Sequence, residues 1–178
     1  MQQYIVYVVL AIIIIYAIST FNYFKKEYEA ILQEKSGIDV ALTSRYDMLI
    51  KMRDAVKGYV KHENTTFTEV TKIRKGMSVE ELSETEGQIQ NAISEINALA
   101  ESYPELKASI NFVELQRAIT NSEDNLQAAR RAYNATVSNY NGKVTSFPSC
   151  FIALLAGAKR MEFFEASSAK REDIRMDF

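Results

Sequence analysis

The sequence contains few of the residues that interrupt helices or that carry out most enzyme chemistry. Its 178 residues include six Gly, two Pro, one Cys, one His and no Trp. A single thiol, Cys150, excludes an intramolecular disulfide and fits a reducing compartment. The scarcity of Gly and Pro favours long helices, because these two residues most often end them.

Charged side chains are missing from the start of the chain. None precedes Lys25, although the whole sequence has 21 basic and 23 acidic residues and a formal charge of −2. Beyond that point acidic and basic residues are interleaved, without the basic stripe that binds a phosphate backbone. We therefore expect no nucleic-acid partner. The distribution predicts an apolar segment joined to a polar body.

The uncharged segment predicts a transmembrane helix. Residues 4–18 read YIVYVVLAIIIIYAI, and the segment continues to Phe24. This length suffices, since about 20 helical residues cross the roughly 30 Å hydrocarbon layer. The basic n-region and small-residue cleavage site of a signal peptide are missing, and apolar residues surround the helix instead of forming one interfacial stripe. We predict an uncleaved anchor over residues 1–24 and a helical-bundle domain over residues 25–178.

The charges that flank this anchor predict its orientation. Lys25 and Lys26 follow it directly, whereas no basic side chain precedes it. By the positive-inside rule, the body then lies in the cytoplasm and a very short N-terminus lies outside. The acidic residues nearby change this expectation little, because acids contribute little to the rule.

A seven-residue repeat predicts a long first helix that ends near Lys75. Gly76 can form a left-handed cap, and a capping box from Ser78 to Glu81 opens the second helix. Such a repeat is typical of a helix that packs against others along a seam. Its two rows are Ile38, Arg45, Met52, Tyr59, Thr66 and Ile73, and Leu42, Leu49, Val56, Glu63 and Val70.

The rest of the chain predicts two more long helices and a short fourth. Pro104 opens the third helix and Phe147-Pro148 ends it. The apolar segment 151–156 is too short to span a bilayer; we expect it to close the bundle, with insertion into a membrane as the alternative. The expected fold is all-α: a single N-terminal transmembrane helix that continues into an antiparallel up-and-down bundle. The supporting repeats are Leu82, Ile89, Ile96 and Tyr103, and Phe112, Ile119, Leu126, Tyr133, Tyr140 and Phe147.

The predicted helix lengths leave two helix ends without partners. At about 1.5 Å per residue, the first helix rises about 80 Å, the second returns about 40 Å and the third climbs again by about 65 Å. A folded-back tail, kinked helices or neighbouring molecules would cover these ends. We predict self-association, because staggered ends favour head-to-tail contacts between copies. The residues concerned are Ile31, Ile38 and Leu42 in the first helix and Tyr133, Tyr140 and Phe147 in the third.

Several polar residues fall on or beside seam positions where apolar side chains are expected. Buried charges are costly unless paired, so we expect salt bridges and hydrogen bonds between the first and third helices. In one interpretation this layer specifies the register of the helices; in the other it is a switch or a ligand-reading layer. Its members are Arg45, Glu63, Gln116, Glu123, Arg130 and Asn134.

A Tyr-Asn pair occurs twice with seven-residue spacing, at Tyr133-Asn134 and Tyr140-Asn141. Two interpretations are open. The pairs dock a partner helix, or the tyrosines pack in the core with their hydroxyl groups hydrogen-bonded.

The sequence predicts no catalytic or metal site. His62-Glu63 begins like the zinc motif H-E-x-x-H, but Thr66 stands where the second His is required. Only His62, in another predicted helix, is available to activate Cys150, and no nucleophile elbow or phosphate-binding glycine motif is present. A carboxylate-only metal site is the remaining alternative. We expect a protein without enzyme activity and without a cofactor.

Short motifs along the body resemble those of the LemA family of bacterial membrane-anchored proteins. The resemblance runs from about Phe21 to Phe178; its motifs are weak singly and specific in this order. It implies an inner-membrane anchor and a four-helix bundle. It implies no activity, although some members are associated with building membrane compartments and others are encoded near membrane metalloproteases. The motifs include Val56-Lys57-Gly58-Tyr59, Tyr103-Pro104-x-Leu106-Lys107-Ala108, Arg130-x-x-Tyr133-Asn134 and Phe163-Phe164-Glu165.

These features together predict a single-pass protein of the bacterial inner membrane. We expect a self-associating scaffold or adaptor for an unidentified membrane protein, in membrane organisation or envelope maintenance. The alternative is a ligand-sensing module on the outer face of the membrane that signals through the continuous first helix. The two functions differ in topology, so the location of the C-terminus distinguishes them.

Overall fold

The computed structural model describes residues 1–59, 70–74 and 76–165. All regular secondary structure within these ranges is helical. The prediction of an all-α protein with a long apolar N-terminal helix is confirmed. The helices are α1 (Gln2–Lys57), α2 (Val79–Glu101), α3 (Pro104–Lys107), α4 (Ile110–Thr145) and α5 (Ser149–Ala156).

The predicted capping box begins α2. The backbone N–H of Glu81 donates to Ser78 Oγ at 3.0 Å, and the backbone N–H of Ser78 donates to the Glu81 carboxylate at 2.7 Å. This backbone hydrogen bond, with a smaller contribution from Arg74, lowers the pKa of Glu81 below its ordinary value. Two N–H groups at the start of the helix are thereby satisfied.

α1 ends earlier than its repeat predicts. It stops at Lys57, whereas the sequence predicts helix to Lys75. Gly58, a weak helix former, follows directly. The Tyr59 N–H then donates to Val56 O at 2.9 Å and forms a turn. A local preference therefore ends the helix although the seven-residue spacing continues.

The described residues that follow are not helical either. In 70–74, the Thr71 N–H donates to Gln88 Oε1 at 2.9 Å, and the Arg74 N–H donates to Met77 Sδ at 3.3 Å. Side-chain acceptors thus replace the carbonyl groups that a helix would supply. The predicted continuation of the first helix is wrong at these positions.

The predicted third helix consists of two helices. α3 begins at Pro104, as the sequence indicates, and ends at Lys107. A new helix begins after Ser109, whose Oγ accepts a hydrogen bond from the Phe112 N–H at 3.2 Å. α4 then runs to Thr145, close to the predicted end at Phe147-Pro148.

The chain divides into two compact units. Unit one consists of Met1–Lys35 and Ala132–Phe163. Unit two consists of Ser36–Arg131 and the segment that begins at Phe164. Unit one extends along α1 past Phe24, and the boundary of the anchor at that residue stays a prediction.

In unit one, α1 and α4 run antiparallel. The rings of Phe24 and Tyr140 lie 5.9 Å apart, edge to face, and Lys143 Nζ lies 5.7 Å from the centre of the Tyr23 ring. The predicted third helix therefore runs in the opposite direction to the first. The expected rise and return of the helices had placed the two in the same direction. Residues 58–78 separate α1 from α2. A connection of that length does not require α2 to run antiparallel to α1.

In unit two, α2 and α4 run antiparallel, since Glu86 contacts Arg130 and Asn97 contacts Gln116. The seam predicted for the first helix is buried from Ile38 to Val56. Fully buried apolar side chains of this unit are Ile38, Leu42, Met52, Val56, Leu82, Ile89, Ile96, Leu106, Phe112 and Leu126.

The N-terminal part of α1 exposes its apolar side chains. Among the described residues, α1 has the length and composition needed to cross a membrane, and 6% of its most apolar 18-residue stretch is buried. Ile5, Ile15 and Ile18 each expose more than half of their surface. Monomeric soluble proteins rarely expose contiguous apolar patches of this extent. The segment thus has the physical properties of a membrane span.

Candidate functional site

Arg45 places a charge in the buried seam of α1. Its side chain is 3% exposed and forms an ion pair with Glu123 of α4. Arg45 Nη2 also donates to Gln90 Oε1 of α2 at 2.6 Å. One guanidinium group therefore bonds side chains of two other helices, and a shift of any of the three would leave a buried charge unpaired.

Arg130 and Glu86 form a second charge pair. Arg130 Nη1 lies 2.8 Å from Glu86 Oε1, and the side chain of Glu86 is 4% exposed. The guanidinium carbon of Arg130 lies 5.0 Å from the centre of the Phe164 ring, a cation–π distance. Arg130 thus contacts α2 on one side and the segment that follows α5 on the other.

The partners in this polar layer differ in part from those expected. Arg45 of α1 pairs with Glu123 of α4, as a bridge between the first and third helices requires. Arg130, however, pairs with α2, and Gln116 Nε2 donates to Asn97 Oδ1 of α2 at 3.3 Å. The expectation that the whole layer joins the first and third helices is wrong, because α2 lies against α4 and offers its own polar side chains.

Two predicted members of the layer lie elsewhere. Asn134 belongs to unit one, where it is half-buried, and Glu63 lies outside the described residues. Glu86 of α2 is not among the residues predicted for the layer, although the sequence carries a signal for it. Glu86 occurs at seven-residue spacing with Ile93 and Ala100, which are both buried. It is therefore a polar residue on an apolar repeat, the same criterion that identified Arg45.

Asn141 holds the chain that follows α5 against α4. Its Nδ2 donates to Met161 O and its Oδ1 accepts from the Met161 N–H, both at 2.8 Å. Nearby, the Tyr133 hydroxyl donates to Glu162 O at 2.9 Å. The tail thus folds back over α4 in unit one, which was one of the alternatives for covering an open helix end.

The tyrosines of the Tyr-Asn repeat pack in the core. Tyr133 is 1% exposed and Tyr140 is 3% exposed. Burial raises the pKa of both phenols above the ordinary value, so both are neutral at physiological pH. The structure favours core packing over docking of a partner helix at these residues.

Most residues predicted for self-association lie inside the chain. Phe147 is 82% exposed, but the other five are buried. The premise of unpartnered helix ends is wrong at those five positions, since three are buried within unit one, where α4 packs against α1 and the tail covers α4, and two are buried within unit two. The buried residues are Ile31, Ile38, Leu42, Tyr133 and Tyr140.

The predicted membrane flank is accessible. Lys25 and Lys26 are exposed, and Lys25 Nζ lies 5.8 Å from the centre of the Phe21 ring. Lys25 also lines a surface cleft of unit one together with Tyr28 and Lys159.

Comparison with known proteins identifies the family of this body. The model of the LemA family matches residues 34–178. The chain belongs to the LemA family. The resemblance that the sequence motifs predicted is therefore confirmed.

Individual relatives give the extent of the similarity. Protein LemA of Metamycoplasma hominis is 29% identical over 158 residues, which cover 86% of this chain and 72% of that protein. Magnetosome protein MamQ of Magnetospirillum gryphiswaldense is 27% identical over 84 residues, 47% of this chain and 31% of MamQ. Magnetosome protein MamQ 2 of Paramagnetospirillum magneticum is 30% identical over 84 residues, with the same coverage of 47% and 31%.

The LemA family match contains both charge pairs, the Asn141 contact and α5, and it begins after the apolar part of α1. Within the described ranges of this LemA family member, no three His, Cys, Asp or Glu side chains lie together as ligands for a metal ion. His62-Glu63 lies outside those ranges, and Cys150 of α5 is a half-buried free thiol. The side chains of the two charge pairs bind one another between helices.

Proposed function

We propose that this LemA family protein is a non-enzymatic scaffold or adaptor, anchored by a single transmembrane helix in the bacterial inner membrane with its body in the cytoplasm. The observation that carries the proposal is the continuity of α1. This one helix begins in the exposed apolar run and extends to Lys57, past the buried charge of Arg45. The same helix therefore supplies both the anchor and part of the packed body.

The exposed surface of α1 supports the anchor. Burial of apolar surface is worth about 25 cal/mol per Å², so a run of exposed Ile and Val side chains is strongly driven out of water. Ile12, Ile13 and Ile14 are 61%, 56% and 57% exposed and follow one another around the helix. A single protein groove would cover one face, whereas lipid surrounds all of them.

The distribution of cations supports the orientation. Lys25 and Lys26 are exposed at the end of the apolar run, and Lys143 lies beside Tyr23 at the same level. Lys residues close to a span favour the cytoplasmic side. The fold thus adds a cation to the flank that the linear sequence already marks as cytoplasmic.

The scaffold part of the proposal rests on the charge pairs. Arg45 and Arg130 each bond side chains of a neighbouring helix, an arrangement that specifies one register. A body of defined shape held at a membrane is suited to organising a partner membrane protein. Two relatives carry the name magnetosome protein, and by analogy we place the role in the organisation of a membrane or the maintenance of the envelope.

Self-association is the finer part of the proposal. Of the residues first expected to mediate it, Phe147 is exposed and five are buried, so copies would meet through other surfaces of the body or of α1. The scaffold role does not depend on it. Size measurement in mild detergent over a range of concentrations tests it, and a monomer throughout contradicts it.

Two measurements on the full chain test the anchor and the scaffold. A dual reporter fused after Phe178 should be active in the cytoplasm; activity in the periplasm contradicts the orientation and favours the alternative, a sensor on the outer face.

Cross-linking in intact cells should capture a recurrent membrane-protein partner. That capture should be lost with Ile13→Lys/Ile14→Lys and retained with Asn121→Lys/Asn125→Lys, a matched pair at exposed polar positions of α4. Capture that is equal in both variants contradicts a membrane-held scaffold.

A further inference from the structure

The short helix α5 has an apolar face that no described residue covers. Phe151, Leu154 and Leu155 are 61%, 79% and 84% exposed, and their spacing of three and four residues places them on one face. Phe147, just before α5, is 82% exposed, and its ring lies 6.0 Å from that of Phe151. The opposite face, with Ser149 and Ala153, is buried.

The antiparallel contact of α4 with α1 gives the level of this face in unit one. Lys143 lies beside Tyr23, and the two remaining residues of α4, to Thr145, move about 3 Å farther along α1 toward its N-terminus. The turn that carries Phe147 begins there, at the end of the predicted span. Thr20 is 4% exposed and Ala17 is half-buried, whereas the rest of the first 19 residues are exposed.

The chain leaves this level at the end of α5. Gly157 ends the helix with a left-handed φ of 67°, which a residue with a Cβ adopts at a cost. Ala158 and Lys159 then line the same cleft as Phe24 and Lys25. The chain just before the α4–α5 turn and the chain just after α5 therefore both lie against α1 at the end of the apolar run, at Tyr23 to Lys25.

Several polar groups of the turn form hydrogen bonds within the turn. Ser149 Oγ donates to Lys143 O at 2.6 Å and to Ser146 O at 2.9 Å, and Ser146 Oγ donates to Gly142 O at 2.6 Å. The Cys150 N–H donates to Ser146 O at 2.8 Å. In hydrocarbon an unpaired backbone group costs several kcal/mol, so a turn that enters lipid needs this internal pairing.

Cations surround the point where the segment rejoins the body. Lys25 and Lys159 line the cleft, and Lys143 lies over the Tyr23 ring. Lys side chains beside a span extend to the headgroup level and attract anionic lipids. Three lysines thus lie together at the end of the apolar run, the position at which a membrane span meets the lipid phosphates.

We propose that the α4–α5 turn and the apolar face of α5 insert into the bilayer leaflet next to the end of the anchor, as a second lipid contact of the protein. The occupant of the face is lipid, because the chain on both sides of the face lies against α1 at the end of the exposed apolar run, in the same unit. The inference rests on the proposed anchor. Phe147 lies deepest and Leu155 lies nearest the headgroups.

Spin-label accessibility in the full chain tests the insertion. In a Cys150→Ser background, single cysteines at Leu154, Ile13 and Ser94 are labelled with a nitroxide, and the protein is reconstituted in phosphatidylethanolamine and phosphatidylglycerol vesicles. The nitroxides at Leu154→Cys and Ile13→Cys should be relaxed by oxygen and should be relaxed little by a water-soluble nickel chelate. Ser94→Cys, at an exposed position of α2, should be relaxed by nickel. Phe147→Cys should lie deeper than Leu155→Cys.

The other outcomes of this experiment distinguish failure of the α5 insertion from failure of the anchor. If Ile13→Cys is in lipid and Leu154→Cys is relaxed by nickel, the insertion of α5 is overturned and the anchor stands. If Ile13→Cys is relaxed by nickel, the anchor itself fails. If Leu154→Cys is shielded from both reagents, protein covers the face and the lipid assignment is overturned. Spin–spin broadening that disappears on dilution with unlabelled protein would identify that cover as a second copy.

Discussion

The two units of this protein join their helices with different chemistry. Unit two uses charged side chains, Arg45 with Glu123 and Arg130 with Glu86. In unit one, neutral side chains bond the backbone, as Asn141 does with Met161. The difference indicates that paired charges fix the packing of the helices in unit two, whereas neutral hydrogen bonds hold the returning chain against α4 in unit one.

We expect the greatest loss of stability when the Arg45 charge is left without its partner. Glu123→Leu removes the counter-ion of a side chain that is 3% exposed. We expect a loss of about 3–5 kcal/mol in the free energy of unfolding, because the remaining charge is buried and uncompensated. Denaturant unfolding of the detergent-solubilised chain, followed by helical circular dichroism, measures it.

A double variant sharpens the same test. Arg45→Met/Glu123→Leu should recover most of the loss, since an apolar replacement of a whole buried pair is often neutral. Glu114→Leu, the same change at an exposed position of α4, should have little effect. Equal losses for Glu114→Leu and Glu123→Leu would show that the charge pair has no special role.

The neutral contact of unit one predicts a smaller and more local loss. Asn141→Ala removes both hydrogen bonds to Met161 and should cost about 1–3 kcal/mol, the range for a buried donor or acceptor left unpaired. Hydrogen exchange at the Met161 amide should accelerate before the helices of unit two exchange. Asn139→Ala, at an exposed position of α4, is the control. Unchanged exchange at Met161 would contradict the role of Asn141.

How far the sequence predicts this structure depends on the kind of interaction. The seam from Ile38 to Val56 follows from spacing alone, because the identity of a buried face is encoded along one helix. The partner of Arg130 does not follow from spacing, since a repeat identifies a face and not the helix that packs against it. The Asn141 contact was also missed, because its partner is the backbone of Met161, and any residue type has that backbone.

Tyr133 provides a test of smaller size. Tyr133→Phe removes the hydrogen bond to Glu162 O and should cost about 0.5–1.5 kcal/mol. Burial raises the pKa of Tyr133 in the folded state above its unfolded value of about 10. Its stabilisation is therefore complete below the unfolded pKa and is lost as the pH rises through the folded pKa. Alkaline unfolding of Tyr133→Phe should depend less steeply on pH than that of the wild type; identical slopes would contradict this.

The capping box of α2 predicts the smallest effect. Glu81→Gln keeps the shape of the side chain but removes the negative charge of the group that accepts a hydrogen bond from the Ser78 N–H. Because the pKa of Glu81 is lowered in the folded state, its contribution is present above the unfolded pKa and is lost as the pH falls through the folded pKa. The variant should lose slightly more stability near neutral pH than in acid, and Glu84→Gln, exposed in the same helix, should lose none.

Alkaline carbonate extraction of cell membranes tests whether α1 anchors the helical body in a bilayer. The full chain should stay in the membrane pellet, because carbonate removes peripheral proteins and leaves spans in place. Ile13→Lys/Ile14→Lys should move it to the supernatant, and Asn121→Lys/Asn125→Lys should not. Release of the unaltered, folded chain into the supernatant would contradict the account.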